Sequence, residues 1–201
     1  MKHPIVAVTG ASGALYGVRL LRELIRQGRE PHVIVSPPGR QVLATELGSG
    51  SLKELLGSDG FREEQVRDFA SPLASGSFET DGMVIVPCSM GTLGSIASGV
   101  SQNLIHRAAE VTLKERRRLI LVPRETPFSQ IALKNMLTLS QAGADILPAN
   151  PGFYHAPASV EELVDFVVAR ILDLMGIPHT LSRRWTGLPV LKGEAADAVR
   201  R

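Results

Sequence analysis

The segment Ile5-Val-Ala-Val8-Thr9-Gly10-Ala-Ser-Gly13 decides the fold class. Four apolar, mostly β-branched residues read as a buried strand that stops at a glycine turn. Beyond it Leu15, Val18, Leu21, Leu24 and Ile25 recur at helical spacing as far as Gly28. The order is strand, glycine turn, helix.

The same order repeats downstream. Residues 32–35 read as a second strand closed by Ser36-Pro-Pro-Gly39, and residues 42–47 as a helix carrying Glu46. Residues 52–81 are less periodic and more polar, so a short helix and a surface excursion are expected there. Residues 83–86 read as a buried strand ended by Pro87, followed by a short helix over 91–99 and a long one over 102–118. A strand over 119–122 precedes Thr126-Pro127, which reads as the N-cap and first-turn proline of a helix over 127–141. A strand over 144–147 ends at Pro148, and Ser159-Val-Glu-Glu162 is a capping box opening a last helix that runs to Gly176. Strands this apolar, alternating with helices, predict an α/β fold: a three-layer, doubly wound parallel sheet covered on both faces, in a single domain. The domain is expected over 1–187, with 188–201 as a loosely held tail.

Composition narrows the function. The 201 residues are 44% hydrophobic and 21% charged, which is ordinary for a globular chain and excludes disorder. A net charge of +2 argues against a nucleic-acid surface, so any anion site must be local. A single cysteine, Cys88, rules out an intrachain disulfide and a Cys-rich zinc site. The histidines at 3, 32, 106, 155 and 179 have no metal-ligand spacing and the aspartates form no acidic pair, so no metal is expected. No apolar stretch is long enough to span a membrane, and Met1-Lys-His-Pro runs straight into a strand without a signal peptide. A cytoplasmic protein without membrane contact is expected.

In a doubly wound sheet, ligands sit outside the carboxyl ends of the strands. The distinctive residues fall there: Gly10-Ala-Ser-Gly13, Ser36, Ser89-Met-Gly-Thr92, Arg124-Glu125 and Asn150-Pro-Gly-Phe-Tyr154. Gly10 and Gly13 would let the backbone approach a ligand, and the helix that follows would aim free N–H groups at an anion. The spacing is not G-x-G-x-x-G, and an isolated GASG serves a tight turn equally well. The other strand ends tip the reading towards a ligand. Arg107 and Lys114, seven positions apart on a helix, lie within about 20° of one face and roughly 10 Å apart along the axis. Two such charges can grip a phosphate, and Glu125 is expected beside them. Arg116, Arg117 and Arg118 read as cations complementing a helix end. Taken alone, Tyr154 would be a core tyrosine and Arg170 a surface arginine.

From Gly10 to Trp185 the chain resembles the UbiX/Pad-like flavin prenyltransferase family. The resemblance is carried by GASGALYGVRLL (10–21), CSMGTLGSIASG (88–99), NLIHRAAEVTLKERR (103–117), RETP (124–127) and PGFYH (151–155). It implies a homododecameric, flavodoxin-like or Rossmann-like enzyme that takes reduced FMN and dimethylallyl monophosphate. Without a metal, such an enzyme joins the dimethylallyl group to flavin N5 and C6, and the prenylated FMN goes to a UbiD-type decarboxylase. Residue by residue, the resemblance implies FMN contacts at Gly10, Ala11, Ser12, Ser36, Ser89, Met90, Gly91, Thr92 and Arg124. It places Arg107, Lys114, Glu125, Tyr154 and Arg170 in the prenyl-phosphate pocket, with Trp185 closing it. Glu125, Lys114, Ser12 and Glu46 are the catalytic candidates. Ala132 stands where the family often has histidine.

The chemistry agrees with this inventory. Breaking an allylic C–O bond leaves negative charge growing on phosphate, which Lys114, Arg107 and Arg170 would stabilise as fixed partners, while Glu125 would relay a proton. Two alternatives stand beside it. An FMN-dependent cysteine decarboxylase of the related flavoprotein group would need a PASANT-type segment that is not evident near 148–155. A non-catalytic FMN carrier would not need cations beyond those that hold one phosphate.

Overall fold

The computed structural model describes residues 3–182 and 184. In chain order the elements are β1 (His3–Val8), α1 (Ala14–Arg26), β2 (His32–Val35), α2 (Pro37–Leu47), α3 (Leu52–Leu56) and β3 (Arg62–Glu64). They continue with β4 (Thr80–Cys88), α4 (Met90–Ala97), α5 (Leu104–Lys114), β5 (Leu119–Pro123), α6 (Gln130–Gln141), β6 (Asp145–Ile146) and α7 (Val160–Leu174). The strands form one parallel sheet in the order β3-β2-β1-β4-β5-β6. This is the 3-2-1-4-5-6 order of a Rossmann sheet. Without the three-residue edge strand β3, the remaining five have the flavodoxin order.

Alternation along the strands divides the core into two layers. Val6, Val8, Val33, Val35, Val84, Val86, Ile120 and Val122 face α1, α2, α3 and α7. Ile5, Ala7, Ile34, Met83, Ile85, Leu119 and Leu121 face α4, α5 and α6. Both faces are covered, which is why these strands read as unbroken apolar runs. The tail expected over 188–201 lies outside the described residues.

Four boundaries differ from the sequence reading, each for a local reason. Helix α2 starts at Pro37 because Ser36 caps it, its hydroxyl accepting from Gly39 N–H at 3.0 Å. First-turn prolines suit a position whose N–H has no helical partner. Strand β4 runs through Pro87 to Cys88, since its pairing with β5 shifts between Ile85 and Cys88 and asks no ladder N–H of the proline. Helix α5 is shorter than 102–118: Asn103 caps its start, and Arg116 at φ 54° breaks its end. Helix α6 starts at Gln130 and not at Pro127. Ser129, not Thr126, is its N-cap, accepting from Ala132 N–H at 3.1 Å where the buried face of Ala132, Met136 and Leu139 begins. The capping box of α7 is present, with Ser159 accepting from Glu162 N–H and Glu162 from Ala158 N–H.

Helix α1 is held at three places. Gly17 lies against β4 so closely that a Cβ would come within 2.7 Å of the Val86 carbonyl oxygen. Arg19 donates to Asp165 of α7 at 2.5 and 3.1 Å. At its start, Gly13 takes φ 106° and offers no side chain as a cap. The carboxylate of Glu46, near the end of α2, does this instead, accepting from Gly13 N–H at 3.0 and 3.1 Å and from Ala14 N–H at 2.8 Å. A carboxylate here meets both the orphan donors and the positive end of the helix.

Gly17→Ala is expected to destabilise the protein by about 1–3 kcal/mol through overpacking against a backbone oxygen. That outweighs the roughly 1 kcal/mol that alanine gains in helix propensity. An unchanged urea midpoint would show that α1 can shift away from β4. Glu46→Ala is expected to cost about 1–2 kcal/mol, as other lost caps do. Glu46→Gln, whose amide oxygen still accepts, should cost less, and equal urea midpoints for the two variants would contradict the capping role.

Candidate functional site

The chain reverses its winding between β1 and β4, and a crevice opens there at their carboxyl ends. Buried Thr9 ties the two strand ends together. Its hydroxyl donates to the Pro87 carbonyl at 2.7 Å and accepts from Ser89 N–H at 2.8 Å. Sequence reasoning passed over Thr9, although a hydroxyl directly before the glycine turn was the available signal. Arg124 follows β5 and crosses to the turn, its Nε donating to the Ser12 carbonyl at 3.0 Å. Ser36 N–H donates to the Val8 carbonyl at 3.0 Å, closing the β2 side. Half-buried Tyr16 adjoins Arg124. Burial raises its hydroxyl above the ordinary range, and the guanidinium offsets part of that shift.

The free donors are not where the glycine turn suggested. At the start of α1 Glu46 takes the N–H groups of Gly13 and Ala14, so these two are not free donors towards the crevice. Gly10 is a glycine for packing, since a Cβ would lie 2.5 Å from Pro38 Cβ. Helix α4 is different. Ser89 caps it, accepting from Thr92 N–H and donating to the Thr92 hydroxyl at 3.1 Å. Among the described residues no acceptor meets the N–H groups of Met90 and Gly91 or the terminal amino groups of Arg124. A Cβ on Gly91 would meet nothing within 4 Å. Open space beside unpaired donors and a guanidinium suits a phosphate.

The remaining candidates are dispersed over the chain. Arg107 and Lys114 share one face of α5, as expected, and that face packs on the turn before β4. Arg107 donates to the Ala74 carbonyl and to Glu110, both at 3.1 Å. Lys114 pairs with Glu115 at 2.5 Å over Gly76. That hydrogen bond holds the Glu115 carboxyl below its usual range. Glu125 does not join them. Helix α5 runs antiparallel to the strands and ends just before β5, so Lys114 lies at the amino edge of the sheet. Glu125 lies beyond the far end of β5, roughly 17 Å away at the rise of a strand. Its carboxylate accepts from Thr126 N–H at 3.1 Å.

Tyr154 is 85% exposed and is no core tyrosine. Next to it, His155 stacks on Phe166 with ring centroids 5.8 Å apart. Arg170 donates to Asp173 at 2.6 Å, on the rim of a recess of about 320 Å³ lined by Leu147, Pro148, Asn150 and Phe166. Trp185 lies outside the described residues. Cys88 is fully buried and burial pushes its thiol up to about 12, so it is no nucleophile. Among the described residues no three His, Cys, Asp or Glu side chains gather to hold a metal, and no helix is long and apolar enough to cross a membrane.

The flavoprotein family's sequence profile matches residues 1–172. A flavin prenyltransferase UbiX of Pseudomonas aeruginosa is 52% identical over 192 residues, covering 90% of this chain and 92% of its own. A dodecameric FMN-dependent UbiX-like decarboxylase of Escherichia coli is 42% identical, covers 92% of this chain and 100% of its own, and superposes with a TM-score of 0.87. A UbiX structure in complex with FMN and dimethylallyl pyrophosphate is 42% identical, covers 94% of this chain and 99% of its own, and has a TM-score of 0.86. A shared fold alone does not require that much identity along nine-tenths of a chain, and this chain belongs to the flavoprotein family, among its UbiX-type flavin prenyltransferases.

Proposed function

We propose that the protein joins a dimethylallyl group from dimethylallyl monophosphate to N5 and C6 of reduced FMN. The observation that carries this reading is the phosphate seat at the β1–β4 crevice, combined with cations that one FMN phosphate does not need. The FMN phosphate is assigned to the unpaired N–H groups of Met90 and Gly91, the hydroxyls of Ser89 and Thr92, and the terminal amino groups of Arg124. Gly10, Ala11, Ser12 and Ser36 form the opposite wall. Reduced FMN, when bound, supplies the nucleophilic atoms. The side chains orient the donor, hold charge on its departing phosphate and move a proton.

Arg107, Lys114, Tyr154 and Arg170 are assigned to the donor phosphate, and Glu125 to the proton. Since Lys114 and Glu125 occupy opposite edges of one sheet, a shared pocket requires a second copy of the chain. Apolar surface supports this. Ile131, Leu133 and Leu137 on α6 are exposed, as is Phe153 beside Tyr154, and burial between copies would remove them from water. A homododecamer like the Escherichia coli relative is the proposed assembly. Glu46 and Ser12 act in this reading through the turn they hold. One relative was solved with dimethylallyl pyrophosphate. A monophosphate donor is proposed here because a diphosphate leaving group is ordinarily managed by carboxylate-held magnesium. The proposed recipient of the product is a UbiD-type decarboxylase.

Arg124→Ala is expected to weaken FMN binding about 10- to 100-fold, the value of a charge-assisted hydrogen bond. Wild-type affinity in a fluorescence titration would remove Arg124 from the seat. Lys114→Ala should raise the KM for the donor and lower kcat, whereas Glu125→Gln should keep both ligands bound and stall ring formation. If each pocket takes Lys114 and Glu125 from different copies, co-assembling the two impaired variants in equal amounts should restore full activity to about a quarter of the sites. Mass spectrometry of the flavin after anaerobic turnover reads this directly, and no recovery in verified mixed assemblies would place both residues in one subunit's site.

A further inference from the structure

Away from the crevice, two guanidinium groups and an imidazole meet at one carboxylate. Asp173, at the end of α7, accepts from Arg170 Nη1 at 2.6 Å, from Arg184 Nη1 at 2.6 Å and from His179 Nε2 at 3.1 Å. The carboxylate is 16% exposed and His179 1%, whereas Arg170 and Arg184 are 54% and 62% exposed. The carboxylate and imidazole are thus the fixed members, and the guanidinium groups reach outward from them. Burial alone would raise the Asp173 carboxyl, but the hydrogen bonds from Arg184 and His179 bring it below its usual range.

The charges do not balance. Two guanidinium groups face one carboxylate, and the imidazole, whose Nδ1 accepts a hydrogen bond, adds no acid to offset them. The acid that lines the Arg170 recess, Asp145, lies 3.5 Å from Arg118. A net positive site beside an open recess suits a dianionic phosphate, and an arginine held by one carboxylate oxygen keeps other N–H groups to offer.

Resting on the assignment of Arg170 to the donor phosphate, we propose that Asp173 is a positioning residue for that phosphate, presenting Arg170 and Arg184 to it as a pair. Arg184 thereby becomes a second donor-phosphate ligand. His179 completes the arrangement by tying the turn after α7 to the carboxylate, with its Nδ1 accepting from Leu181 N–H at 3.4 Å. His179 and Arg184 are thus tied to the same carboxylate that orients Arg170.

The test is steady-state kinetics on the flavin-bound assembly with dimethylallyl monophosphate, comparing Asp173→Asn, Arg184→Ala, Arg170→Ala and the double variants. Asp173→Asn is expected to raise the donor KM about tenfold, the value of one charged hydrogen bond, with FMN affinity and assembly size unchanged. Arg184→Ala should raise it similarly. In the Arg170→Ala, Arg184→Ala background, Asp173→Asn should change KM less than about twofold, because a positioning residue has nothing left to position. The same tenfold rise in that background, or a parallel loss of FMN affinity, would mean that Asp173 acts through general stability and would overturn the proposal. A lower KM in Asp173→Asn would overturn it too, by showing that the carboxylate competes with the donor. If Arg170→Ala alone leaves KM unchanged, the donor-site assignment itself fails. If Asp173→Asn does not assemble, the arginine variants decide, since Arg184→Ala at wild-type KM removes the pair.

Discussion

The hydroxyl of Thr9 makes two hydrogen bonds on which the rest of the crevice depends. By donating to Pro87 and accepting from Ser89, it fixes the carboxyl ends of β1 and β4 where the winding reverses. Ser89 is then placed to cap α4, and Arg124, entering from β5, finds the Ser12 carbonyl within reach. With the hydroxyl buried, both bonds form away from competing water, where leaving either partner unsatisfied would be costly. The crevice is in this sense part of the sheet, and its donors are already oriented before any ligand arrives.

Two helix starts face this region, and the structure treats them differently. The start of α1 is neutralised internally by Glu46, so its dipole serves the fold. The start of α4 keeps unpaired N–H groups over open space. A single carboxylate thereby occupies donors at the glycine turn, while the donors at Ser89–Thr92 stay open.

The remaining charges follow from helix direction. A helix that returns antiparallel to its strands delivers its last residues to the amino edge, so Lys114 and Glu125 cannot meet within one chain. The Arg107–Lys114 face of α5 and the carboxyl edge of β5 can share a pocket only across copies. The side chains of Ile131, Leu133 and Leu137 on α6 and of Phe153 are exposed and apolar, as the proposed contact between copies requires. Asp173 adds a second level of organisation, because it gathers side chains that are distant from the crevice within the chain.

The amino-acid sequence by itself determined the strand–helix alternation, the parallel sheet and the residues at its carboxyl edge. Unbroken apolar runs bounded by glycine and hydroxyl residues have few other solutions. It also determined that Arg107 and Lys114 share a face, which is a matter of helical period alone. Only the tertiary structure decided the use to which each donor is put. Gly10 packs on Pro38, in a turn that suited a ligand equally well, and Glu46, a catalytic candidate by resemblance, caps α1. The separation of Glu125 from Lys114, and the convergence of Arg170, His179 and Arg184 on Asp173, depend on directions of packing that local periodicity does not encode. Hydrogen-bond partners separated by tens of residues become neighbours only after the sheet has formed, and a charge is free or spent according to which neighbour it acquires.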